Sequence, residues 1–248
     1  MANIVTLLKR QLRAYFHTPM AYVIMLAFMM VAGLGFCRPL AQHLGEKIGI
    51  GELLFGVPYF WVAVLATIAL ITMPLFAEER RTGTLEMLLT APVTDLQVVL
   101  GKYAGALIFF LLVTAPTAAY FIMLKAMAPG MVSLDWMPVL AGYLILWLIG
   151  SCFIAIGMFV SALTRSQVVA AVGCFVAVSI LFFLDTVRLV LPGAAMQEAL
   201  AYLSSTLHVQ DFAQGVVDTR PIVLYLSLAV FFVFATVKAI EARQWKQL

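Results

Sequence analysis

The sequence predicts an all-α integral membrane protein with six transmembrane helices, an N-terminal amphipathic surface helix and a short cytosolic helix between the second and third spans. Three observations predict it. Hydrophobic residues make up 64% of the 248 and charged residues only 11%, against about 45–50% and about 25% in soluble chains, so a soluble fold could not cover its own surface. Mean hydropathy is +1.06. Finally, charge is absent from six long stretches: 18–37, 53–77, 103–124, 136–164, 166–184 and 221–237. A helix crossing a hydrocarbon core about 30 Å thick needs about 17–25 residues, and every stretch is long enough. None shows the polar alternation of a transmembrane strand. The same composition excludes disorder, a collagen repeat and nucleic-acid binding.

In residues 1–17, Ile4, Leu7, Leu8, Leu12, Tyr15 and Phe16 follow helical spacing, while Lys9, Arg10 and Arg13 fall largely on the other face. This predicts a basic amphipathic helix in the headgroup layer, either a simple topological anchor or a helix that also touches a cytoplasmic partner. The spans are expected at about 19–40, 55–77, 101–124, 137–163, 167–190 and 221–238, all within one domain, 1–248. The first is expected to stay in the mature chain, since it is long for a signal core and ends in Gly35-Phe36-Cys37-Arg38 without a small-residue cleavage site. An even number of spans puts both termini on one side. That side collects ten of the fifteen basic residues, which predicts cytoplasmic termini.

The loop from Glu78 to Lys102 is the most informative stretch. Gly83 or Thr84 can start a helix, with Glu86 in its first turn suited to the positive end of the helix dipole. Leu85, Leu88 and Leu89 give one apolar face, Pro92 stops the helix, and Thr94-x-x-Gln97 has the capping-box pattern that opens the third span. Exposing those leucines to water is unfavourable, so a protein partner is expected to cover them, with Glu79, Arg80, Arg81 and Glu86 as a polar collar.

No catalytic set accompanies these features. Gly101-Lys102 lacks the earlier glycine of a phosphate-binding loop, Leu96 standing in its place. The metalloprotease and serine-elbow patterns are absent, and His17, His43 and His208 are scattered. Cys37, Cys152 and Cys174 lie in apolar runs without paired spacing and read as small buried hydrophobes. The sequence thus assigns no catalytic residue, cofactor or metal to this chain. Gly101-x-x-x-Gly105 permits close helix approach, within the chain or at a seam between copies. Charge-free span centres suit an amphiphilic or hydrophobic passenger better than an ion-coupled one.

Residues 76–107, FAEERRTGTLEMLLTAPVTDLQVVLGKYAGAL, resemble the signature of ABC-2 type ABC-transporter permeases. The similarity is greatest to the six-span subgroup that includes the gliding-motility-associated permease and the permease of nitrous-oxide-reductase maturation. The matching positions are Glu79, Arg80, Arg81, Gly83, Thr84, Leu85, Glu86, Leu88, Leu89 and Pro92, followed by Gly101-Lys102. Residues 8–23 and 150–170 are also similar to the family. The resemblance implies a bacterial inner-membrane subunit that pairs with a second permease copy or a sister permease. Separate ABC ATPase subunits would bind the ATP and magnesium, and those ten residues would contact them as the coupling helix. It further implies contact with membrane lipids, admits a periplasmic accessory protein, and points to export or extraction; the amphiphilic character of the substrate is read from the charge-free span centres. An ATP-independent secondary transporter or channel is the alternative.

Overall fold

Backbone groups in hydrocarbon must find partners within the chain, which leaves only helices or a closed barrel. This chain takes helices. The computed structural model describes residues 2–42, 51–83, 94–127, 136–188, 197, 200 and 202–244. Its helices are α1 (Ala2–His17), α2 (Pro19–Gln42), α3 (Glu52–Phe55), α4 (Pro58–Thr72), α5 (Ala77–Thr82), α6 (Asp95–Thr114), α7 (Ala118–Met127), α8 (Trp136–Leu163), α9 (Gln167–Phe182), α10 (Leu184–Arg188), α11 (Ser205–Ala213) and α12 (Thr219–Gln244). There is no strand among the described residues.

Five stretches are long and apolar enough to cross a membrane: Pro19–Ala41, Pro58–Thr82, Asp95–Ala126, Trp136–Leu163 and Thr219–Ala242. The fifth of the six expected spans, at 167–190, is where the structure differs. Its helix α9 has 16 residues, or about 24 Å at about 1.5 Å per residue. Phe183 leaves helical geometry with φ −92° and ψ 22°. The Thr206 hydroxyl of α11 donates to the Phe182 carbonyl at 3.0 Å, satisfying one of the groups a helix end leaves open. The short α10 then continues the chain.

Two other expected spans are interrupted. In the second, a turn at 73–76 that contains Pro74 separates α4 from α5. The third passes through a 3₁₀ turn at Ala115–Thr117 that contains Pro116, whose ring cannot continue a regular helix. The helix of the third span begins at Asp95. Thr94 accepts from the Gln97 amide while the Gln97 side chain accepts from the Thr94 amide, the reciprocal cap that the sequence predicts.

Helix α8 forms the centre, with α4, α6, α9, α11 and α12 against it. Over its most apolar window 78% of residues are buried, and 67% for α4, whereas α2, the α6–α7 stretch and α12 reach only 28–39%. The outer helices therefore turn apolar faces outward: Leu26, Val168 and Val230 are 68%, 71% and 69% exposed. A water-facing surface does not carry such continuous apolar area; a multi-pass membrane protein does. Cys152 and Cys174 are buried as expected, but Cys37 is exposed, because it falls on the outward side of α2.

The N-terminal helix is more firmly held than a free surface anchor. It runs in register with α6, Leu7 lying on Gly101, Gln11 on Gly105 and the Tyr15 ring stacked on Phe109 at 4.7 Å. A Cβ at Gly101 would stand 2.7 Å from that of Leu7, and one at Gly105 would stand 2.8 Å from Gln11. The glycine pair is therefore spent inside the chain, on α1, and is no seam between copies.

Candidate functional site

The segment that leaves the second span is held by polar contacts that reach three other helices. Past the end of α4, the Phe76 and Ala77 amides and the Met73 carbonyl need partners outside the helical ladder. Ser161 of α8 supplies them. Its Oγ accepts from the amides of Phe76 at 3.2 Å and Ala77 at 3.1 Å and donates to the Met73 carbonyl at 3.0 Å. Helix α5 begins at that point. Glu78 and Glu79 stand in its first turn, Arg80 and Arg81 in its last, the order that the helix dipole favours.

Glu79 and Arg80 are turned into the bundle. Glu79 Oε1 lies 2.8 Å from Lys102 Nζ. Lys102, on α6, is only 5% exposed, and its ammonium also donates to the Leu75 carbonyl at 2.5 Å and stands 4.9 Å from the Phe76 ring centroid. Arg80 Nη1 donates to the Ala162 carbonyl at 2.6 Å and, more weakly, to Thr164 at 3.4 Å. Those carbonyls belong to the open C-terminal end of α8, where a cation is favourably placed. Lys102 thus fixes α5 to α6, and Arg80 fixes it to the α8–α9 turn.

Helix α1 joins the same assembly. The Tyr15 hydroxyl donates to the Ile71 carbonyl at 2.8 Å, next to the break in the second span. Burial holds the Tyr15 phenol well above its ordinary pKa, so it stays protonated and remains a donor.

Arg81 is exposed. Gly83 ends α5 at φ 72°. Nothing lies within 4 Å of the position a Cβ would take, so the need for glycine comes from the left-handed backbone itself. Thr84, Leu85, Glu86, Leu88, Leu89 and Pro92 lie outside the described residues. The structure therefore brings Glu79, Arg80 and Gly83 together around one short helix and adds three residues that the sequence reading did not assign to the partner contact: Ser161, Lys102 and Tyr15. A signal for Lys102 was present, because a lysine inside an apolar helix needs a partner.

Glu79 and Lys102 neutralise each other, Arg80 is spent on carbonyls, and no group of three metal-ligating side chains occurs among the described residues. The charged, hydrogen-bonded contacts of this site tie α5 to α6 and to α8. Compared with known proteins, residues 5–242 match the family model described as ABC-2 family transporter protein. No curated protein matches the chain.

Proposed function

The chain belongs to the ABC-2 family of transporter proteins, and on that premise we propose that it is the permease subunit through which partner ABC ATPases drive export of an amphiphile. Two permeases, identical or sister chains, would form the path in a bacterial inner membrane. Both termini would be cytoplasmic, and α9 with α10 would complete a sixth span. ATP and magnesium belong to the partner subunits. Residues 83–92 are assigned to the coupling helix, with Leu85, Leu88 and Leu89 toward the ATPase and Arg81 and Glu86 at its margin.

One observation carries this reading. The stalk that leads into residues 83–92 is braced to α6 by Lys102–Glu79 and to α8 by Arg80. A connecting loop needs no such bracing, whereas a segment that must transmit force does. Glu79 and Arg80 then serve to anchor that segment rather than to meet the partner directly.

The test is a pull-down of the partner ATPase by wild-type and Leu88→Asp chains at equal membrane levels. An unpaired charge in a desolvated groove costs at least about 3 kcal/mol, which at about 1.4 kcal/mol per tenfold lowers affinity on the order of a hundredfold. Loss of the ATPase with insertion intact is the expected outcome. Equal recovery would favour the ATP-independent transporter or channel.

A further inference from the structure

A cavity of about 520 Å³ opens beside the stalk, between α1, α2, α4, α5, α6 and the start of α9. Its volume falls within the roughly 300–1,000 Å³ of small-molecule sites. Met20, Ala21 and Ile24, from the first turns of α2, contribute apolar lining, as do Leu70 and Met73 at the end of α4. These residues mark where the first and second spans meet one face of the bilayer, so the cavity sits at the boundary of hydrocarbon and headgroup layer.

The polar part of the lining is balanced in charge. Arg10 and Lys102 provide two cations, Glu78 and Glu79 two carboxylates. Lys102 and Glu79 already pair at 2.8 Å. Among the described residues, Arg10 and Glu78 have no ion-pair partner. One guanidinium and one carboxylate therefore remain to receive a ligand. A purely anionic ligand would leave Glu78 repelling it, and a purely cationic one would leave Arg10. A ligand carrying both signs answers both: a guanidinium recognises a phosphate through parallel hydrogen bonds, and a carboxylate accepts charge-assisted bonds from a primary ammonium.

We infer that this cavity binds a phosphate ester bearing a primary ammonium, the phosphate on Arg10 and the ammonium on Glu78. The apolar lining from α2 and α4 suits the chains of a lipid with that headgroup, phosphatidylethanolamine; soluble phosphoethanolamine offers the same polar chemistry. The inference concerns the chain alone and does not depend on residues 83–92 meeting an ATPase.

The experiment is native mass spectrometry of the full-length chain released from detergent micelles doped with phosphatidylethanolamine, phosphatidylcholine or phosphatidylglycerol. Phosphatidylethanolamine should be retained best, because the trimethylammonium of phosphatidylcholine has no N–H to donate and phosphatidylglycerol has no cation. Glu78→Gln should reduce that preference by about tenfold, the worth of one hydrogen bond to a charged group. Arg10→Ala should weaken retention of all three lipids, and Arg10→Lys should restore part of it. Both side chains are exposed, and unchanged thermal unfolding of the variants would show that the fold is intact. Equal retention of phosphatidylglycerol, or retention unaffected by Arg10→Ala and Glu78→Gln, overturns the proposal. Excess soluble phosphoethanolamine separates the sources. If it displaces the lipid, the site takes the free phosphate ester; if it does not, the chains are needed and the ligand is the lipid. Because no ATPase is present, a negative result here leaves the Leu88→Asp test untouched, and the reverse also holds.

Discussion

Replacing Lys102 with Met removes the ammonium while keeping an unbranched side chain of similar length in the same space. Three contacts are lost: the ion pair with Glu79 at 2.8 Å, the bond to the Leu75 carbonyl and the contact over the Phe76 ring. Removing one partner of a fully buried pair costs about 3–5 kcal/mol, because the other charge is left behind. The Glu79 side chain retains 22% exposure, so water recovers part of that cost, and the expected loss is about 2–3 kcal/mol. At about 2–4 °C per kcal/mol for a chain of this size, unfolding should shift down by about 4–12 °C.

The double variant Lys102→Met with Glu79→Gln should recover much of the loss, because it leaves no orphaned charge. A buried ion pair exchanged for neutral groups is often close to neutral in stability. The assay is thermal unfolding of the four chains of this double-mutant cycle in one detergent. The reasoning fails if Lys102→Met unfolds with the wild type. It fails equally if the double variant loses the sum of the two single losses, since the residues would then act independently.

The remaining predictions concern one neighbouring pair and one buried base. Arg80→Ala leaves carbonyls at the end of α8 without their donor and should cost about 1–2 kcal/mol, whereas Arg81→Ala, at an exposed site, should stay within about 0.5 kcal/mol; thermal unfolding of both chains compares two adjacent arginines of opposite role. His208 faces the Tyr225 hydroxyl at 3.1 Å, and burial lowers its pKa from the ordinary 6.5, with Asp211 and Asp218 opposing. The unfolded chain therefore takes up this proton first as pH falls, so the His208 contribution is whole above pH 6.5 and declines below it. His208→Gln should flatten that part of the stability profile measured from about pH 7.5 to about pH 5.5, and an unchanged slope would remove His208 as its cause.

Most of the helical architecture was legible because hydropathy is a local property. The uncharged runs at 18–37, 136–164 and 221–237 locate α2, α8 and α12 without knowledge of their neighbours. The end of α9 was not legible, because it depends on a hydroxyl 24 positions away, Thr206 on the Phe182 carbonyl. The apolar run continues through Phe183 and Leu184, so composition alone carries the helix too far. The stalk was hidden for a related reason. Charges in a loop default to solvent, which makes Glu79 and Arg80 look like a surface collar, and their inward role appears only once Lys102 and the end of α8 are brought beside them. Yet the capping box at Thr94, which was legible, already begins α6 at Asp95 and so places Lys102 about two turns inside an apolar helix. A lysine at that depth has to reach a carboxylate or bear the full cost of desolvation. Glu79, at the other end of the same loop, is the acid that reaches it, at 2.8 Å. Treating Lys102 as part of a helix rather than as loop charge therefore turns a count for topology into a prediction of the clasp.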